Sequence, residues 1–164
     1  MEKNLIKCKK NPNDIFYTPD ELVIDCIKCI DIKSDDILLD PFYGDGAFYN
    51  KYPIENKKEW CEIAKDKDFF EYNNKVDWII SNPPFSILNK VLDHCCSISK
   101  KGFGLIMLTT ALTIPRINRM KLKGFKITKL LYFQVKQWFG FTCVFVVFSK
   151  DGNEIFYIQP KKYK

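Results

Sequence analysis

Residues 76–109 read VDWIISNPPFSILNKVLDHCCSISKKGFGLIMLT, and the order of patterns within them decides the fold. Val76 to Ile80 is a short run of β-branched, aromatic and aliphatic residues, the composition of a buried strand. After Ile87 the apolar positions change to helical spacing, with Leu88, Val91, Leu92 and Cys95, so a helix is expected over 87–99. Lys101-Gly102 breaks it, and 103–109 is a second apolar run. Strand, helix, strand is a βαβ unit, whose two strands lie parallel in one sheet.

The same reading extends in both directions. Leu22, Val23, Cys26, Ile27 and Ile30 predict a helix over 20–32, with Thr18 as its cap and Pro19 at its start, where a missing N–H does no harm. Residues 37–40 form a short buried strand, 41–46 a glycine-containing turn, the residues from Ala47 a short helix, and 59–63 another strand. Beyond the unit, 127–135 and 141–148 are strands joined by a hairpin-like connection, and 155–158 is a terminal strand or an ordered tail. The expectation is an α/β fold: a mostly parallel seven-stranded sheet, an antiparallel C-terminal hairpin at its edge, and helices on both faces. One domain is expected over 1–164, with a basic N-terminal tail at 1–13 and a C-terminal tail at 151–164.

The chain has 164 residues, 46% hydrophobic and 28% charged, which suits one globular domain rather than a disordered segment. No apolar run approaches the roughly 20 residues that span a bilayer. The basic start has no apolar core like that of a secretory signal, so an intracellular protein, cytoplasmic or nuclear and not secreted, is expected. Seven cysteines show no disulfide framework and are read as reduced, buried residues. Cys26 and Cys29, with His94-Cys95-Cys96, do not supply the paired, turn-borne ligands of a structural zinc site, and no metal is expected. The charge is segregated. Residues 1–93 carry 13 Lys/Arg against 18 Asp/Glu, whereas 94–150 carry 10 Lys/Arg and no acid. That acid-free stretch points to a polyanion such as nucleic acid. Arg116, Arg119, Lys121, Lys123, Lys126 and Lys129 are read as its phosphate-contacting surface.

Open α/β sheets bind ligands beyond the carboxyl ends of their strands, and two unusual segments fall there. In Asp40-Pro41-Phe42-Tyr43-Gly44-Asp45-Gly46, two glycines permit a tight turn and close backbone approach. The pattern is neither the dinucleotide fingerprint nor a phosphate-binding P-loop. An acid at the strand end suits a ligand bearing an ammonium group. In Asn82-Pro83-Pro84-Phe85, two prolines make a rigid turn. Asn82 offers an amide oxygen, Pro83 a backbone carbonyl and Phe85 a flat face. Two fixed acceptors beside an aromatic ring suit a planar molecule with an exocyclic amine.

On these residues, and on Phe16-Tyr17-Thr18-Pro19, the chain resembles the S-adenosylmethionine-dependent N6-adenine methyltransferases over roughly 14–150, in a small form without room for a target recognition domain. The resemblance implies a Rossmann-like class I methyltransferase fold and S-adenosylmethionine as cofactor. It assigns Asp40, Pro41, Gly44 and Gly46 to the methionine end of the cofactor, with Tyr17, Thr18 and Pro19 closing over it. Glu62 matches the acid that binds ribose hydroxyls. Asp68-Phe69 matches the pair that contacts the cofactor's adenine, with Asp66 as the alternative acid. Asn82, Pro83, Pro84 and Phe85 form the catalytic motif, and Asn82 also touches the cofactor. Phe85 stacks on the target base, with Trp138 and Phe139 either as a second aromatic element against it or, equally, as packing aromatics of the hairpin; Arg116, Arg119, Lys121 and Lys123 complete the substrate contacts. The implied reaction is methyl transfer to the N6 amine of adenine in nucleic acid, DNA ahead of RNA, with a protein partner or second copy supplying target recognition and no membrane. The alternatives are a non-catalytic nucleic-acid-binding subunit and a methyltransferase of a protein glutamine.

Overall fold

Three helices and six strands follow one another in residues 17–138 and 140–155, the part of the chain that the computed structural model describes. In chain order they are α1 (Asp20–Lys28), β1 (Ile37–Asp40), β2 (Lys57–Trp60), β3 (Val76–Ser81), α2 (Leu88–Ile98), β4 (Ser99–Leu108), α3 (Ile114–Leu122), β5 (Lys126–Gln134) and β6 (Thr142–Ser149). The strands make one sheet in the order β2-β1-β3-β4-β6-β5. Pairing is parallel from β2 to β4. β6 runs antiparallel to both β4 and β5, so it is inserted between them and leaves β5 at the edge.

Alternation along the central strands divides the core into two layers, because successive side chains of a strand point to opposite faces. Leu39, Ile79, Leu105, Val144 and Val146 join Leu88, Val91, Leu92 and Cys95 of α2 and Ile117 and Met120 of α3. Leu38, Ile80, Ile106, Phe145 and Val147 join Val23 and Cys26 of α1 on the other face. Helices therefore cover both faces, as expected. Gly104 is a packing requirement of β4: a Cβ there would stand 2.3 Å from the Phe145 ring and 3.0 Å from Ile30.

Several boundaries differ from the sequence reading. α1 stops at Lys28, where the Cys29 N–H turns back to Cys26 and Ile27 carbonyls. Its N-cap is Pro19 and no side chain caps it, so Thr18 is released for another role. The helix expected after Ala47 is only a 3-10 turn, Tyr49–Lys51. The second strand lies at Lys57–Trp60 rather than 59–63. The basic connection after β4 folds into α3, with Pro115 in its first turn, where its missing N–H is harmless. Six strands are present among the described residues instead of seven. Of the seventh, Ile155 donates its N–H to the Ile127 carbonyl at 2.9 Å, and 156–158 lie outside the described residues. The expected N-terminal tail lies outside them too. No described helix is long and apolar enough to cross a membrane.

Candidate active site

Leu38 pairs with Trp78 and Leu39 with Ile79, so β1 and β3 end side by side. The chain passes from β1 to β2 on one flank and returns to β3 on the other. Such a reversal opens a crevice at the carboxyl ends of the strands, and both expected motifs are carried there.

Asp40 ends β1 and is 1% exposed. Its Oδ1 accepts from the Ser81 hydroxyl at 2.6 Å and from the Phe42 N–H at 3.3 Å. Its Oδ2 accepts from the Tyr49 N–H at 3.3 Å. Burial pushes the carboxyl up to about 7 against the opposing effect of these donors. Asp40 thus frames the glycine turn from within, between residues 42 and 49, rather than lining the open cleft beside it. Ser81, which the sequence reading passed over, bonds the two motifs together; its only signal was its place directly before Asn82.

Gly44 and Gly46 have φ of 56° and 87°, left-handed backbone that side chains resist. A Cβ on Gly46 would also meet Asn50 Nδ2 at 2.7 Å and the Tyr43 hydroxyl at 2.8 Å. The Gly44 N–H donates to Glu62 Oε2 at 2.9 Å, and the Ala64 N–H to Glu62 Oε1 at 3.1 Å. Glu62 is therefore held buried at the mouth of the turn.

Glu62 lines a cleft with Pro41, Phe42, Ile63, Asp68, Phe69, Phe70, Pro84, Ser86 and Ile87, enclosing about 460 Å³ in part open to solvent. Apolar walls with two carboxylates suit a flat heterocycle joined to a polyol. Asp68 Oδ1 accepts from the Phe70 N–H at 2.9 Å. Asp66 is exposed in the preceding turn and does not line the cleft, so of the two acids Asp68 is the one that faces it. Phe69 is buried edge-on to Phe42 and to His94. His94 Nε2 lies 2.8 Å from the Tyr72 carbonyl, while Cys29 donates its thiol to the Asp25 carbonyl and Cys26 is fully buried.

Pro84, Ser86 and Ile87 put the Asn82-Pro83-Pro84-Phe85 turn along one wall of this cleft. Pro83 is buried and Phe85 half-buried. Asn82 Nδ2 donates to the Thr18 hydroxyl at 3.2 Å, across 64 positions of sequence. Tyr17 itself is exposed, but its carbonyl accepts from Trp138 Nε1 at 3.1 Å. The N-terminal, glycine and proline motifs therefore meet. Trp138 takes the packing place, one of its two readings. It is 3% exposed, sits in the core with Phe133 edge-on, and anchors the Tyr17–Thr18 segment instead of presenting a face to a base. Phe139 lies outside the described residues.

The basic stretch is answered by acids from elsewhere. Arg119 and Lys123 pair with Asp93, Lys121 with Glu154, Lys100 with Asp77 and Lys101 with Asp36. Burial alone would raise Asp36, but Lys101 and the Lys33 N–H bring it below the ordinary value. Arg119, Lys121 and Lys123, expected on a phosphate-contacting surface, each face an acid of the chain itself. Arg116 bonds Asn89 Oδ1 and the Ala111 carbonyl, both neutral.

No protein-family model matches the sequence, and no curated protein sequence does. Solved structures do. The 23S rRNA methyltransferase ErmE superposes with a TM-score of 0.66 at 10% identity, over 87% of this chain and 72% of that one. Magnesium protoporphyrin IX methyltransferase ChlM from Synechocystis PCC 6803, with bound SAM, gives 0.60 at 13% identity, over 79% and 77%. The E. cuniculi Mtq2-Trm112 complex, responsible for methylation of the termination factor eRF1, gives 0.60 at 12% identity, over 83% and 99%. The chain has the Rossmann-like fold of class I methyltransferases. These neighbours act on an RNA, a porphyrin and a protein, so the fold leaves the acceptor to be argued from the site.

Proposed function

We propose that the chain transfers a methyl group from S-adenosylmethionine to the exocyclic N6 amine of adenine in nucleic acid, with DNA ahead of RNA. The observation that carries this reading is the Asn82–Thr18 bond. The amide N–H2 donates to the Thr18 hydroxyl, an orientation that supports a reading in which Asn82 Oδ1 is the acceptor.

The donor set of the cleft fits the cofactor. Glu62 is suited to the ribose hydroxyls, Asp68 to the adenine amine, and Phe42, Phe69, Phe70 and Ile87 to the ring. Tyr17, Thr18 and Pro19 would cover the methionine end, next to the turn of Gly44 and Gly46. When bound, S-adenosylmethionine supplies an electrophilic methyl group. The acceptor amine is a poor nucleophile because its lone pair is delocalised into the purine. Asn82 Oδ1 and the Pro83 carbonyl would accept its two N–H bonds, drawing the nitrogen toward tetrahedral geometry and localising the lone pair. They also stabilise the positive charge that develops there. Phe85 would stack on the base, which must leave a duplex to reach it. Nucleic acid is favoured as the acceptor by Arg116, Lys126, Lys129 and Lys136, which have no carboxylate partner among the described residues.

The test is transfer of labelled methyl from S-adenosylmethionine to duplex DNA, single-stranded DNA and RNA side by side, with digestion to identify the product. N6-methyladenine is expected, lost by about 10²–10³-fold in Asn82→Ala, as for removal of one transition-state hydrogen-bonding group. Cofactor binding without transfer to any of the three would replace this reading with a non-catalytic subunit or another acceptor. No cofactor binding would overturn it.

A further inference from the structure

A second cleft, enclosing about 550 Å³ in large part open to solvent, lies between α2 and α3 and is lined by Asn89, Thr113, Pro115, Arg116 and Arg119. Asn89 stands in the first turn of α2, four positions after Phe85 of the proposed catalytic motif. Its two arginines differ in kind. Arg119 is neutralised by Asp93. Arg116 is held through Nε to Asn89 Oδ1 at 2.8 Å and through one terminal nitrogen to the Ala111 carbonyl at 2.7 Å. Both partners are neutral acceptors, so they fix the guanidinium in place without cancelling its charge. An arginine has five N–H donors; two are used here, and three remain for a ligand. Thr113, which precedes α3, makes no side-chain cap bond and adds a hydroxyl to the same wall.

A fixed, uncancelled guanidinium beside a hydroxyl is the donor set for a phosphate-type oxygen pair. We propose that this cleft binds a phosphodiester of the substrate strand, with Arg116 as its cation and Asn89 as the residue that positions it, and so holds the nucleotide neighbouring the target base. The inference rests on the nucleic-acid reading above and refines its basic surface. Most of the surrounding cations are tied to Asp93 or Glu154; among the described residues, Arg116 is the one aimed at the cleft without an acid.

The experiment measures binding of a labelled single-stranded oligodeoxynucleotide across a salt series. Arg116→Gln is expected to lower the slope of log affinity against log salt by about 0.7 and to weaken binding by about ten-fold. Asn89→Asp keeps Arg116 but sets a carboxylate against it, and should produce the same loss with the fold intact by thermal melting. Lys28→Gln removes an equal charge from α1 and should leave the slope unchanged. In methyl transfer the Arg116→Gln loss should fall on KM, with kcat within about two-fold. Wild-type binding with unaltered Arg116→Gln and Asn89→Asp variants overturns this site and leaves the nucleic-acid reading standing. Absence of salt-dependent binding by the wild type overturns both.

Discussion

Replacing Asp40 with asparagine tests whether the buried carboxyl shapes stability as its surroundings require. Burial lifts it from an ordinary value of 3.8 to about 7, a difference of about 3 units, or ~4 kcal/mol at 1.36 kcal/mol per unit. A raised folded-state value means that the folded protein holds this proton more tightly than the unfolded chain does. Below the unfolded value both states are protonated and nothing is lost. As pH climbs from about 4 to about 7 the wild type loses stability through this group, and above that the loss is constant. The amide of the Asp40→Asn variant does not titrate. The variant carries a separate, pH-independent cost of about 1–3 kcal/mol, because an amide N–H2 must replace one oxygen that now accepts a backbone N–H. The expected result is a variant-minus-wild-type stability difference that shifts in favour of Asp40→Asn by up to ~4 kcal/mol between pH 4 and pH 8. Urea unfolding at several pH values measures it, and the other titrating groups cancel in the difference. A difference that is flat with pH would refute the reasoning. It would mean that the Ser81, Phe42 and Tyr49 donors compensate the buried charge fully.

Gly46→Ala combines left-handed backbone with a Cβ less than 3 Å from Tyr43 and Asn50, and should cost about 2–4 kcal/mol. Gly44→Ala has open space beyond 3.8 Å and should cost only ~1 kcal/mol; equal denaturation midpoints would contradict the distinction. Trp138→Phe loses the bond to the Tyr17 carbonyl, worth about 1 kcal/mol, and should weaken S-adenosylmethionine binding roughly five-fold in calorimetry. A loss confined to the KM for nucleic acid would instead make Trp138 a base-stacking residue.

The parallel half of the sheet was legible because strand and helix periods alternate cleanly from Val76 to Leu108. The two motifs were legible because glycine and proline leave few backbone options at a strand end. What was hidden is tertiary. The position of β6 between β4 and β5 depends on β4 pairing with a strand that lies beyond both α3 and β5 in sequence, which no local pattern encodes. α3 was hidden because its apolar positions, Ile114, Ile117 and Met120, are diluted by Arg and Lys. The charge segregation was real in sequence yet partly cancelled in space, since Asp93 on α2 lies against Arg119 and Lys123. Trp138 reads as a loop aromatic until the Tyr17 carbonyl is seen to need its N–H. Asp40 was legible as an acid at a strand end, but its bond to Ser81, 41 positions away, was not.

The insertion of β6 has a consequence for how the chain emerges from a ribosome. β4 leaves the tunnel with its neighbour β3 available, but its other edge from Gly102 to Leu108 is reserved for a strand that begins at Thr142. At roughly 5–20 residues per second, that edge waits some seconds, while β5 follows with Leu130, Leu131 and Phe133 and no strand to join except β6. During this interval two apolar edges of the nascent sheet are exposed together, and they match each other's direction rather than opposing it. Their joining is deferred to a single event, the arrival of β6, which closes both at once. A pause in translation before codon 142 would prolong the interval in which the half-finished sheet invites another chain to supply the missing strand.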